Sequence, residues 1–394
     1  MSAAGGDVLQ GVRVLELGNF ITGPYAGMLL ADLGADVIKV ERPEGDPFRA
    51  FRDGQYSPNF VAFNRNKRSV RLDLGSAAGR DALLRLIDTA DVLIENFRPG
   101  VMEKMGLGWE TLHARRPSLV YCAIGGFLPG SRYEGQPAFD TIGQALSGML
   151  DTFLDPDRPQ VRGPTISDQL AGMYACYGIL GALYARQAGG PGRRVDVNMI
   201  EASMSFMPDF FASHTREGTR MNSTTRASYS HSFAFECADG ARIGLQLSSP
   251  GKFWEGLLRA LEMPELRDDP RFASRSARIA NFDALSEILR ERFRTRPRGH
   301  WLDALRAADV PHAPVLTVPE IVDDPEFRAA GSFHDLHHPA MGAVRALSRP
   351  VRYDGERPPS RYAPPMLGEH TAEILAECGL PPAQIAALEN GRPG

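Results

Sequence analysis

Short apolar runs alternate with longer stretches of helical spacing through the first half of the chain. Residues 12–17, 36–40, 70–74, 92–94 and 119–124 are rich in Val, Leu and Ile and have the length of buried strands. Between them, one helix opens at Pro24 and closes at Gly34, a second spans 79–88, and a third follows Pro99. A repeated strand, helix, strand order predicts an open, mainly parallel sheet with helices on both faces, an α/β fold of Rossmann-like type. Ligands of such sheets sit beyond the carboxyl ends of the strands. Here those ends carry Asn19-Phe20, Glu41-Arg42, the run Glu95-Asn96-Phe97-Arg98, and Gly125-Gly126.

The pattern changes at residue 167. From there to residue 187 almost every position is apolar, and Gly189-Gly190-Pro191 ends the run. About 20 residues at 1.5 Å each make roughly 30 Å of helix, which its apolar faces predict to be buried. Ser167 is placed to cap it and Asp168 falls in its first turn. Asp168 has two readings: an acid that complements the helix dipole, or a nucleophile kept ionised at the positive end of a desolvated helix. A last strand over 193–197 and a helix from 199 lead to a polar stretch, 214–229, that reads as a linker. Beyond it, two alternating runs joined through Ala238-Asp239-Gly240 predict a hairpin. Helices over 252–261, 283–294 and 300–308 make a small α+β domain. The expected organisation is a large domain over 1–222, a small one over 223–330, and a segment, 331–394, that returns to the large one.

Composition narrows the function. A net charge of −4 provides no general attraction to nucleic acid or an anionic membrane. Cys122, Cys176, Cys237 and Cys378 lie far apart without a metal-binding spacing, so reduced thiols of a cytoplasmic protein and no metal site are expected. The amino terminus has no signal-peptide pattern, and polar and glycine interruptions argue against a membrane span. The loop after the first strand, Gly18-Asn19-Phe20-Ile21-Thr22-Gly23, lacks the dinucleotide glycine fingerprint. Four basic residues in 64–71, with Arg98 and Lys104, read either as a solvated surface or as a site for several phosphates. Phe97 beside them suits either base stacking or core packing.

Taken together, VRVLELGNFITGPYAGMLLADLGADVIKVE, NRNKRSVRLDL, ADVLIENFRPGVMEKMGL, AFDTIGQALSG, GPTISDQLAGMYA, RRVDVNMIEA and LGEHTAEILAECGL resemble the family III coenzyme A transferases over about residues 11–380. The resemblance implies a large Rossmann-like domain, a smaller inserted one, and a homodimer of two interlocked rings. It places the catalytic aspartate at Asp168. It assigns CoA contacts to Asn96, Phe97 and Lys104 through the ENFRPGVMEKMGL match, and to Lys67 and Arg68 through NRNKRS. It puts Ile21, Phe139, Asp140 and Gly251 around the acyl pocket. CoA would be a substrate and no permanently bound cofactor is implied. The partners would be an acyl-CoA and a small carboxylic acid, exchanged through anhydride and thioester intermediates on Asp168. Arg162, Arg216, Arg220 and Arg226 would suit a dicarboxylate such as succinate.

Departures from the family pattern matter equally. Ile21 stands where the formyl-CoA branch has glutamine, which argues against a formyl or oxalyl substrate. Ser248-Ser249-Pro250-Gly251 keeps one glycine of that branch's covering loop, and Phe139-Asp140 replaces a Tyr-Glu pair. A racemase needs a second base, and the racemase branch carries histidine where Phe139 stands. The remaining alternative is an acyl-CoA-binding protein without turnover, for which Asp168 would have no use.

Overall fold

The computed structural model describes residues 7–390 apart from 53 and 156. Six parallel strands, β1 (Arg13–Glu16), β2 (Asp36–Glu41), β3 (Lys67–Arg71), β4 (Val92–Glu95), β5 (Val120–Gly125) and β6 (Arg194–Asn198), form a sheet of order β3-β2-β1-β4-β5-β6. Leu15 of β1 is in register with Ile38 on one side and Leu93 on the other. All three are fully buried, because a parallel sheet is covered on both faces. Strand order reverses between β1 and β4, so the loops after these two strands diverge and leave a crevice, the place where open α/β sheets bind ligands.

β3 starts at Lys67, earlier than the apolar pattern predicts. The basic run is therefore not a solvated surface loop: it is a short turn at 64–66 leading into a strand. Lys67, Arg68 and Ser69 are buried strand residues.

The long helix runs Ser167–Gln187, as the apolar run predicts, but two expectations about it change. Ile166, not Ser167, is the N-cap residue. Ser167 lies inside the helix with its hydroxyl buried, accepting from Ser203 Oγ at 2.8 Å. Nor is the helix buried all round. Ala171, Ala175, Ile179 and Ala182 face the core, whereas Met173, Tyr174, Tyr177 and Tyr184 are exposed, Tyr177 and Tyr184 by 75% and 77%.

The chain divides into two compact units. The first holds 7–150, 163–208 and 327–390; the second holds 151–162 and 209–326. The stretch read as a linker is largely helical, over Pro208–Glu217 and Thr225–Ser230. The second unit carries an antiparallel sheet, β7 (Ser232–Glu236), β8 (Arg242–Gln246) and β9 (His312–Val315), packed on a core that includes Phe233, Ile243, Trp254, Phe293 and Trp301. In the first unit, β10 (Phe333–His338) and β11 (Gly342–Leu347) form a hairpin that the sequence reading lacks. Ile374, Leu375, Leu380 and Ile385 of the carboxyl-terminal segment belong to the same hydrophobic cluster as the strands of the main sheet. Among the described residues no helix is long and apolar enough to cross a membrane.

Candidate active site

A cavity of about 340 Å³ opens beyond the carboxyl ends of β1, β4 and β5. Its walls come from Asn19 to Thr22, Asn96 to Pro99, Gly125 to Phe127, Glu134 to Phe139, and from Asp168 and Met199. The first wall is a loop pinched at its base. A Cβ built on Gly18 would stand 2.9 Å from the Cα of Gly23, so only glycine fits at this crossing. Asn96 then ties the loop across the crevice. Its Oδ1 accepts the Asn19 N–H at 2.9 Å, and its Nδ2 donates to Asn19 O and to Thr22 Oγ1, both at 2.8 Å. Phe20 adopts a left-handed φ of 63°, a conformation that costs a bulky residue about 1–3 kcal/mol and persists only when its surroundings impose it. Its ring meets Phe48 and Phe139 edge-on, with centroids 5.3 and 5.5 Å apart.

Asp168 enters the cavity wall from the first turn of the long helix, with 8% of its surface exposed. Its backbone N–H donates to Asp140 Oδ1 at 3.2 Å. Asp140 Oδ2 accepts from Gln144 Nε2 at 2.6 Å, so Asp140 supports Asp168 from behind and does not itself line the cavity. Burial, and secondarily the nearby Asp140 charge, push the Asp168 carboxyl up to about 7. Burial thus opposes the ionisation that the helix terminus was expected to favour, which puts the carboxyl close to neutral pH. Close approach underlies this corner too. A Cβ on Gly143 would lie 2.1 Å from Ser167 Oγ, so the helix carrying Asp140 reaches the start of the long helix only because residue 143 is glycine.

The residues expected to contact CoA separate into two groups. Asn96, Phe97 and Arg98 line the cavity, and Arg98 is exposed with no side-chain hydrogen bond or ion pair to the described residues. Lys104 is exposed in the short helix Val101–Lys104 and does not line the cavity. Lys67 and Arg68 are corrected by their surroundings. Lys67 is completely buried and spends its three protons on Glu16 Oε2, Pro24 O and Asn64 Oδ1, at 2.8 to 2.9 Å. Arg68 directs its guanidinium to Asp36, Glu373 and Glu377, leaving no donor for a phosphate. Ile21 and Phe139 stand in the cavity wall, the first buried and the second 58% exposed. Gly251 begins a helix of the second unit, Gly251–Leu261. Arg162, Arg216, Arg220 and Arg226 also belong to that unit.

Glu95, at the end of β4, was noted among the polar strand ends but given no role of its own. It accepts from the Phe97 N–H at 2.8 Å and the Tyr121 hydroxyl at 3.2 Å, and burial raises its carboxyl to about 7. An acid ending an otherwise apolar strand was the available signal. No group of three or more His, Cys, Asp or Glu side chains among the described residues is arranged to hold a metal.

The structure has a doubly wound sheet whose switch-point cavity presents a buried carboxylate, and its first loop lacks the glycine fingerprint for a dinucleotide. Comparison with known proteins specifies the class. The pattern of CoA-transferase family III matches residues 9–371, and the chain belongs to that family. It is 36% identical to a succinyl-CoA:mesaconate CoA-transferase of Haloarcula hispanica, over 94% of this chain and 96% of that protein. It is 34% identical to a succinyl-CoA–D-citramalate CoA-transferase of Chloroflexus aurantiacus, over 98% and 97%. The crystal structure of a CaiB/BaiF family protein from Brucella suis superposes with a TM-score of 0.83 at 34% identity, covering 94% of this chain and 99% of that one. The chain is accordingly an acyl-CoA:carboxylate CoA-transferase, as the sequence motifs imply.

Proposed function

We propose that this enzyme transfers CoA from succinyl-CoA to a second small carboxylic acid, with Asp168 as the covalent carrier. The buried Asp168 carboxyl in the cavity wall carries the reading, and the succinyl-CoA relatives support the donor. In its ionised form Asp168 attacks the thioester carbonyl; the C–S bond breaks, giving a mixed anhydride and CoA thiolate. The thiolate attacks the Asp168 carbonyl and expels succinate, leaving CoA as a thioester on Asp168. The acceptor carboxylate attacks that thioester and releases the thiolate, which then takes the acceptor acyl group and frees Asp168. Each step exchanges one activated acyl bond for another, so no external energy source enters.

Both intermediates hydrolyse readily, which is why a largely buried carboxyl suits the task. Phe97, Arg98 and Lys104 are the groups proposed to meet CoA, Arg98 through its uncommitted guanidinium. Ile21 and Phe139 give the acyl end an apolar wall. Racemisation has no second base at residue 139, where Phe139 stands. We also propose a homodimer, in which the exposed aromatic face of the long helix is covered.

The test is chemical trapping. Wild-type protein incubated with succinyl-CoA and hydroxylamine is expected to gain an Asp168 hydroxamate, located by peptide mass spectrometry. Asp168→Ala is expected to give no adduct and to lose turnover to background. An adduct elsewhere, or none with any acyl-CoA tried, refutes the assignment.

A further inference from the structure

Two lysines that the reaction chemistry leaves unused lie beneath the segment of residues 18–24, a loop over 18–21 followed by the first turn of the helix Thr22–Asp32. Lys39 in β2 and Lys67 at the start of β3 are both fully buried. Lys39 Nζ donates to Gly18 O at 2.8 Å and pairs with Glu16 Oε1 at 3.3 Å and Asp46 Oδ2 at 2.9 Å. Lys67 Nζ donates to Pro24 O at 2.8 Å and pairs with Glu16 Oε2 at 2.9 Å. One glutamate thus joins both ammonium groups, and each ammonium reaches one end of the segment. Asp46 completes the set, because its Oδ1 accepts the Phe20 N–H at 3.3 Å, at the residue held with positive φ.

Two lysines balance two acids, yet balance alone is a weak reason to bury four charges. Apolar replacements of buried ion pairs are often neutral or stabilising. What an apolar side chain could not supply are the bonds to the Gly18 and Pro24 carbonyls, which stand at the two ends of a cavity wall. We infer that Lys39 and Lys67 are positioning residues, a buried ammonium clamp that fixes the 18–21 loop and the helical turn that follows it in the one shape that sets Phe20, Ile21 and Thr22 against the acyl group on Asp168. The kinetic part of this inference rests on Asp168 as nucleophile; the structural part does not.

The test compares full-length variants by thermal melting, by amide hydrogen exchange in the loop, and by the rate of hydroxylamine trapping with succinyl-CoA. Lys67→Met removes the Pro24 bond and strands the Glu16 charge. The double variant Glu16→Gln/Lys67→Met removes the stranded charge but still deletes the bond from Lys67 to Pro24 O, leaving that carbonyl only its helical partner. The double variant is expected to melt within a few degrees of wild type, to exchange the Asn19 and Phe20 amides faster, and to trap about tenfold more slowly or worse, since small misplacements at a reacting centre are costly. Recovery of melting, loop protection and trapping together overturns the clamp and leaves Lys67 a mere counter-charge. If that double variant does not fold, Lys39→Met/Asp46→Asn, which deletes the bond to Gly18 O with one charge of each sign and leaves Lys67 paired with Glu16, is decisive when exchange is read at the Asn19 amide, which Asp46 does not bond. Faster loop exchange with slower trapping supports the clamp, and wild-type behaviour in both refutes it. Absence of trapping in wild type removes Asp168 as nucleophile, while the exchange measurement still decides the clamp.

Discussion

Asp168 loses a proton at about pH 7 in the folded protein, whereas an unfolded aspartate titrates near 3.8. Between those values the folded state holds a proton that the unfolded state has released, so stability falls as pH rises through the window. The penalty is complete above about 7, at a size on the order of 4 kcal/mol before relaxation reduces it. Asp168→Asn is therefore expected to be more stable than wild type at pH 8 and equal to it below pH 4; urea unfolding at both values checks this. If Asp168 is the nucleophile proposed above, only its anion attacks, and the trapping rate should rise through pH 7. Asp140→Asn keeps an acceptor for the Asp168 N–H but removes the neighbouring charge, and should move that kinetic midpoint downward. The position of Asp168 at the cavity was legible because one acid opens a long apolar run. The fate of Lys67 was not, because its partner Glu16 is 51 residues away and no local pattern reveals which charge a strand will face.

Between elements, the closeness of backbones decides the site. The helix Thr22–Asp32 crosses the long helix at Gly172, where a Cβ would come within 2.8 Å of Thr22 O and 3.1 Å of the Tyr25 ring. Gly172→Ala would gain about 1 kcal/mol of helix propensity. Against that, forcing a methyl onto a backbone carbonyl costs about 1–3 kcal/mol. The expected result is a net loss of roughly 1 kcal/mol with a slower trapping rate, because Thr22 is both the obstructed residue and part of the cavity wall; denaturant melts and trapping read the two effects separately. At this scale, strands and helices followed from apolar periodicity with shifts of a few residues. Exceptions include β3, where charged residues occupy a buried strand, the polar stretch read as a linker that is largely helical, and the hairpin β10–β11, whose histidine- and proline-rich surroundings hide its alternation. Charges inside apolar strands, Glu16 in RVLE and Lys39 in DVIKVE, were the overlooked sign of the buried network.

For the whole molecule, the long helix poses the main question, since its sequence predicts burial and a single chain leaves Tyr177 and Tyr184 mostly exposed. The proposed homodimer would cover these side chains. Sedimentation should give twice the 43.1 kDa chain mass, and surface labelling of the native protein should spare Tyr177 and Tyr184. A monomer, or labelling at the rate of free tyrosine, would remove the proposal. The chain's own sequence determined the alternating α/β order, the absence of a dinucleotide loop, the helix with Asp168 at its mouth, and the family through its motifs. All are local or linear properties: periodicity, turn chemistry, and residues adjacent in the chain. Tertiary structure alone decided which charges are spent. Lys67 and Arg68 were withdrawn from the cavity, Asn96 became a tie across it, and Asp140 moved behind Asp168. Each of those roles depends on a partner brought near by strand order, and desolvation then makes an unpaired charge too costly to leave.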